Sequence, residues 1–76
     1  MSATIFTDRA RNKMASFGLS EAQVLDAFRN GIVEKWTNGK GFNVVKKYTG
    51  YEIGVAYFVD ERGISKITSV WKRARR

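Results

Sequence analysis

The chain has no histidine and no cysteine. Without histidine there can be no Ser-His-Asp or Cys-His triad, no imidazole metal ligand and no imidazole general base. Without cysteine there is no disulfide framework and no thiolate zinc site, which fits a reducing, cytoplasmic setting. Long hydrophobic runs are missing, so no membrane-spanning segment is expected. The opening Met1-Ser2-Ala3-Thr4-Ile5-Phe6-Thr7-Asp8 lacks the basic-then-apolar pattern of a signal peptide. A glycine-rich phosphate loop and a metal-ligand cluster are absent too, and no cofactor is expected. Any catalysis must rest on Lys, Arg, Tyr, Asp or Glu. Acidic residues are few: seven face fourteen Lys and Arg, a net charge of +7. On so small a body that excess favours a polyanionic partner, with RNA the main candidate.

What is present suits one small globule. Seventy-six residues, 43% of them hydrophobic, make a single domain over 1–76. A chain of this size buries only about 60% of its unfolded surface, so its core is thin. Thr4-Ile5-Phe6 is a short apolar entry with the character of an edge strand. Thr7 can cap a helix whose stripe is Phe6, Ala10, Met14 and Phe17, and Gly18 stops it. Ser20 and Gln23 make a capping box for a second helix, and Leu19 can staple onto Val24. Val24, Leu25 and Phe28 are its expected buried face, and Asn30-Gly31 ends it.

The second half reads as strands: Ile32 to Trp36, Phe42 to Tyr48, Tyr51 to Val59 and Ile64 to Lys72. Residues 37–41 form a flexible turn between the first two. The central strand, rich in β-branched and aromatic residues and free of proline, organises the rest. A two-residue loop at Thr49-Gly50 pairs Tyr48 with Tyr51, Lys47 with Glu52 and Val44 with Val55. A three-residue loop at Glu61-Arg62-Gly63 then places Ile67 and Trp71 beside Ile53, Val55 and Tyr57. Arg73 to Arg76 is a basic tail, expected to fray. The expected fold is α+β: two N-terminal helices packed on one face of a four-stranded antiparallel β-sheet meander.

In that arrangement the far face carries Asn43, Val45, Lys47, Glu52, Gly54, Ala56, Phe58, Lys66, Thr68, Val70 and Lys72. Gly54 and Ala56 would form a shallow floor, rimmed by Lys47, Lys66 and Lys72, with Arg73 just beyond. Phe58 is an aromatic with no core position. Such a face could cradle single-stranded RNA, the lysines meeting phosphates and the ring stacking a base. Lys47 and Glu52 can equally be a plain cross-strand pair, and Phe58 can pack under the tail or in a dimer. Arg9 and Lys13, four apart on the first helix, either drape over the core edge or line a site at the helix–sheet border.

The segment Phe6-Thr7-Asp8-Arg9-Ala10-Arg11-Asn12-Lys13-Met14-Ala15-Ser16-Phe17-Gly18-Leu19-Ser20 resembles the opening of a family of small RelE-like domains of uncharacterised function. That opening runs Ser-x-His-Ala-x-x-Arg-Met, then Gly-Ile-Ser, then a helix. Ile67-Thr68-Ser69-Val70-Trp71 resembles the family's closing strand. The resemblance implies a RelE-like fold, whose wider relatives include toxin ribonucleases that cut messenger RNA, some within the ribosome. It places Arg9 where the family has His and Lys13 where it has Arg, which puts His-dependent cleavage in doubt.

The expected function is therefore a small basic RNA-binding domain, with a toxin-like endoribonuclease of a toxin–antitoxin system as its catalytic form. Lys66, Arg73, Arg9 and Lys13 are then the groups available to a pentacoordinate phosphate. Tyr48 and Tyr57 face the core, and no catalytic set is assigned. The alternative is a non-catalytic module for nucleic acid or protein. A further expectation is that the open face takes an antitoxin-like acidic chain or a second copy.

Overall fold

The computed structural model describes residues 3–35 and 41–74, without the side chain of Lys35. The element order is β1 (Thr4–Phe6), α1 (Asp8–Phe17), α2 (Glu21–Asn30), β2 (Ile32–Lys35), β3 (Gly41–Tyr48), β4 (Tyr51–Val59) and β5 (Ser65–Ala74). The α+β class stands, but the sheet has five strands in the order β1-β5-β4-β3-β2 and is mixed. The expected four-stranded antiparallel sheet is corrected by Thr4-Ile5-Phe6, which pairs parallel to β5 along its outer edge. Thr7 N donates to the Ile67 carbonyl at 3.1 Å and Ser65 N to the Ala3 carbonyl at 3.0 Å, so backbone groups that would face water on β5 are satisfied. No helix among the described residues is long and apolar enough to cross a membrane.

The helices form where local chemistry calls for them. The Thr7 hydroxyl accepts from Ala10 N, and Gly18 ends α1 in the left-handed conformation at φ 68°. The capping box at α2 closes from both sides: Gln23 N donates to the Ser20 hydroxyl and Ser20 N donates to Gln23 Oε1. Ala10 and Met14 of α1 and Val24 and Ala27 of α2 are buried against Ile53, Val55, Ile67 and Val70, and Leu19 joins the same core. Phe28 meets Tyr57 edge-on, with ring centroids 4.8 Å apart. Leu25, expected in the core, is only half-buried.

The two hairpins carry the expected registers where they leave their loops. Tyr48 pairs with Tyr51, Lys47 with Glu52 and Val44 with Val55. The β4–β5 loop closes with Asp60 N on the Ile64 carbonyl and Gly63 N on the Asp60 carbonyl. Asp60 Oδ1 also accepts from Arg62 N and Ile64 N, both at 2.9 Å. Its carboxyl is held below the usual range, chiefly by the Ile64 amide and then by Arg62 and Lys66.

Beyond that loop β5 departs from regular pairing. The register shifts between Ala56 and Tyr57, where Ile67 opposes Tyr57 but Ser69 opposes Ala56. Thr68 is the extra residue of a β-bulge, its hydroxyl donating to the Ala56 carbonyl at 3.3 Å. Side chains alternate sides, so one extra residue reverses every later position on the strand. Val70 pairs with Val55 and is buried under the helices, Lys72 pairs with Ile53 on that side, and Trp71 pairs with Gly54 on the other. A regular strand would have put Ser69 and Trp71 into the core. The bulge places Val70 there instead and moves the large indole out. Trp71 thus corrects the expected core, and Val70 and Lys72 correct the expected open face. Arg73 and Ala74 continue β5 instead of fraying. The turn expected over 37–41 lies mostly outside the described residues, as do Trp36 and the last two arginines of the tail.

Candidate functional site

Among the described residues, no helix covers the face of the sheet turned away from α1 and α2. Its residues follow from the pairing. From β1 comes Ile5; from β5, Lys66, Ser69, Trp71 and Arg73; from β4, Glu52, Gly54, Ala56 and Phe58. From β3 come Asn43, Val45 and Lys47, and from β2, Ile32 and Glu34.

The shallow floor expected at Gly54 and Ala56 does not exist, because the chain fills it. A Cβ built on Gly54 would lie 1.9 Å from Trp71 Cε2, 2.1 Å from Cζ2 and 2.4 Å from Nε1. The indole therefore lies across the Gly54 backbone, in space that only glycine leaves open. Gly54 and Ala56 are buried on a face that no helix covers, while Trp71 and Phe58 stay half-exposed. Phe58 sits four residues along β4 from Gly54, roughly 13 Å at the usual rise per residue. The small pair Ala56–Ser69 lies between the rings. The outcome is a flat aromatic surface in place of a groove.

The cations around it are of two kinds. Lys66 Nζ lies 6.0 Å from the Phe58 ring centroid and 3.6 Å from Asp60 Oδ2. Arg73 Nε lies 3.4 Å from Glu52 Oε1. Both pairs are partly exposed and loose, so either can open to a ligand at little cost. Lys47 is exposed and, among the described residues, forms no ion pair.

Four of the expected site residues, Lys47, Phe58, Lys66 and Arg73, thus share this face. Three do not. Lys72 lies on the helix side, its ammonium 4.8 Å from the centroid of the Tyr51 ring. Arg9 and Lys13 are exposed on α1, in the other layer of the fold. Trp71 is the residue that sequence reasoning missed. The available signal was the spacing of Ile67 and Val70, which cannot share one face of a regular strand because they are three apart.

The helix side has its own polar cluster where β3 leaves the cover of α2. Asp26 Oδ2 accepts from Lys46 Nζ at 2.8 Å and from the Tyr48 hydroxyl at 2.5 Å, and Asp26 Oδ1 accepts from Asn30 Nδ2 at 2.8 Å. These three donors, Lys46 first, hold the Asp26 carboxyl at about 2. Burial and then the Asp26 hydrogen bond push the Tyr48 phenol up. Tyr48 stacks on Tyr51 with centroids 4.9 Å apart, and Lys46 caps the Tyr48 ring at the same distance. Every polar atom of Asp26 is engaged, and the cluster fastens α2 to β3.

No family model, no curated protein and no solved structure matches the chain. The functional reading therefore rests on the site.

Proposed function

We propose that this chain is a small RNA-binding domain of RelE-like type that holds single-stranded RNA on the sheet face opposite its helices. The observation that carries the reading is the pair of rings, Trp71 laid across Gly54 and Phe58 further along β4, on an otherwise uncovered face of a molecule of charge +7. Every base has a flat π-surface, so exposed rings accept unpaired bases of any sequence, and nearby lysines and arginines meet the phosphates. Duplex RNA, with its bases stacked on one another, cannot use the rings.

Binding is favoured over cleavage. The cations expected to converge on one phosphate are dispersed. Arg9 and Lys13 lie on the helical layer, while Lys66 and Arg73 oppose Phe58 and Glu52, six residues or roughly 20 Å apart along β4.

The test is fluorescence anisotropy with a labelled single-stranded oligoribonucleotide over a salt series. Trp71→Ala and Phe58→Ala should each weaken binding about tenfold or more, the worth of one base stacked on a ring. Lys47→Ala should weaken it less and flatten the salt dependence by about one phosphate contact. If Trp71→Ala keeps its far-ultraviolet dichroism and binds RNA unchanged, the proposal fails. Ring-dependent association with a protein that ignores salt would point to a protein interface on the same face.

A further inference from the structure

A cleft of about 420 Å³ opens on the helical side, between β1 and the two helices. Its volume falls in the range of roughly 300–1,000 Å³ that small-molecule sites occupy. It shares only Ile5, on the edge strand β1, with the Trp71 face. Apolar lining comes from Ile5, Phe6 and Leu25, and charged lining from Arg11, Glu21 and Arg29. Glu21, Leu25 and Arg29 are four apart and form one stripe of α2, beside the stripe that Asp26 and Asn30 turn towards β3. This explains why Leu25 is only half-buried: it lines a cleft.

The polar groups here are incompletely matched. The Arg11 guanidinium lies 5.4 Å from the Phe6 ring centroid and makes a single contact to Glu21, Nη2 to Oε1 at 3.3 Å. One long contact leaves most of the five guanidinium donors for another acceptor. Arg29 forms no ion pair among the described residues. Two arginines and one glutamate give the lining a net charge of +1. A single negative charge neutralises that lining, whereas a doubly charged phosphate would overshoot it.

We propose that this cleft binds a small monocarboxylate carried on an apolar body. The carboxylate sits between Arg11 and Arg29, and the aliphatic or aromatic body lies against Phe6 and Leu25. Glu21 competes for Arg11 and so limits affinity.

The experiment is a titration of the full chain followed by amide chemical shifts. The probes are octanoate and phenylacetate, their neutral amides octanamide and phenylacetamide, and acetate and inorganic phosphate. Octanoate or phenylacetate should give saturable shifts confined to residues 4–6, 11, 21, 25 and 29. The neutral amides should bind at least about tenfold more weakly, as should the Arg11→Gln variant with the acids. Glu21→Gln should tighten acid binding, an effect that lost packing cannot produce. Three results overturn the proposal. The first is neutral amides that bind as well as the acids. The second is acetate or phosphate that reproduces the shifts, or spreads them to Arg9, Lys13 and Lys47, which marks a general response of a basic surface. The third is that none of the probes saturates. All the substituted side chains are exposed, so the variants retain the fold.

Discussion

Asp26 shows how much one surface carboxylate can organise. Its three hydrogen-bond donors come from α2 and β3, and together they lower its pKa from 3.8 to about 2. Folding lowers this pKa, so the stability it contributes is complete above the unfolded value near 3.8. That stability is lost as pH falls through about 2. Urea midpoints measured from pH 5 down to pH 2 should therefore drop in the wild type. Asp26→Asn should be less stable at pH 5 and should lose less over the same interval. Parallel curves would show that the network does not couple to folding. At the other end of α2, Ser20→Ala removes the acceptor for Gln23 N and should cost about 1 kcal/mol, read as a lower urea midpoint. Gly54 is the third such position. Any side chain there collides with the Trp71 ring, so Gly54→Val should lift the indole off the sheet and cost about 1–3 kcal/mol. In a Trp36→Phe background the emission of Trp71 should shift to the red. An unshifted spectrum would mean that the ring does not lie where the structure puts it.

Among the elements, those specified by neighbouring residues were legible and those specified across the sheet were not. Thr7, Gly18, Ser20 and Gln23 mark helix ends through contacts three or four residues away, and both helices formed where they point. Thr49-Gly50 and the loop before Ile64 set hairpin registers within a few residues, and those registers held near the loops. The bulge at Thr68 is another matter. Nothing at Thr68 announces it, because its cause is a competition between Val70 and Ser69 for a place under the helices. A reading that assumed regular alternation therefore put Trp71 in the core and Lys72 outside. The parallel pairing of β1 escaped for the same reason, since its partner lies about sixty residues away. Lys46 was overlooked on the helix side because its acceptor, Asp26, is on another element. Of the candidate site, the rim residues Lys47, Lys66 and Arg73 and the ring of Phe58 were found, but the larger ring was not. The bulge makes its own prediction. Deleting Thr68 leaves Ser69 opposite Ala56 and Val70 opposite Val55, so the shortened chain should still unfold cooperatively in urea with dispersed amide resonances. A collapse of that dispersion would show that the bulge itself is required.

At the scale of the whole molecule, stability is narrow. A chain of this length holds on the order of 4–11 kcal/mol at the usual figure per residue. Ile53 and Val44 are fully buried on the same, helix-covered side of the β3–β4 hairpin. Ile53→Ala should cost about 2–4 kcal/mol, a large share of the total, and should lower the thermal midpoint by well over 10 °C. A smaller loss would mean that the helices close over the cavity. The sheet's other edge is less protected: Ile32 is 71% and Val33 54% exposed on β2, which among the described residues pairs only with β3. Consecutive residues point to opposite sides, so neither is shielded. An edge of this kind invites strand addition by other chains, which the shared positive charge opposes.

The pairing of β1 with β5 also governs when the fold can form. A ten-residue helix is marginal alone in water, so α1 depends on the surface it packs on, which is β5. That surface appears only after Ser65–Ala74 has been synthesised. Until then the apolar stripe of α1 and the edge of β4 that pairs with β5 remain in water, whereas α2 can already pack on β3 and β4. Folding of this unit therefore waits on contacts about sixty residues apart in sequence, and it completes only when β5 is available to both β1 and α1.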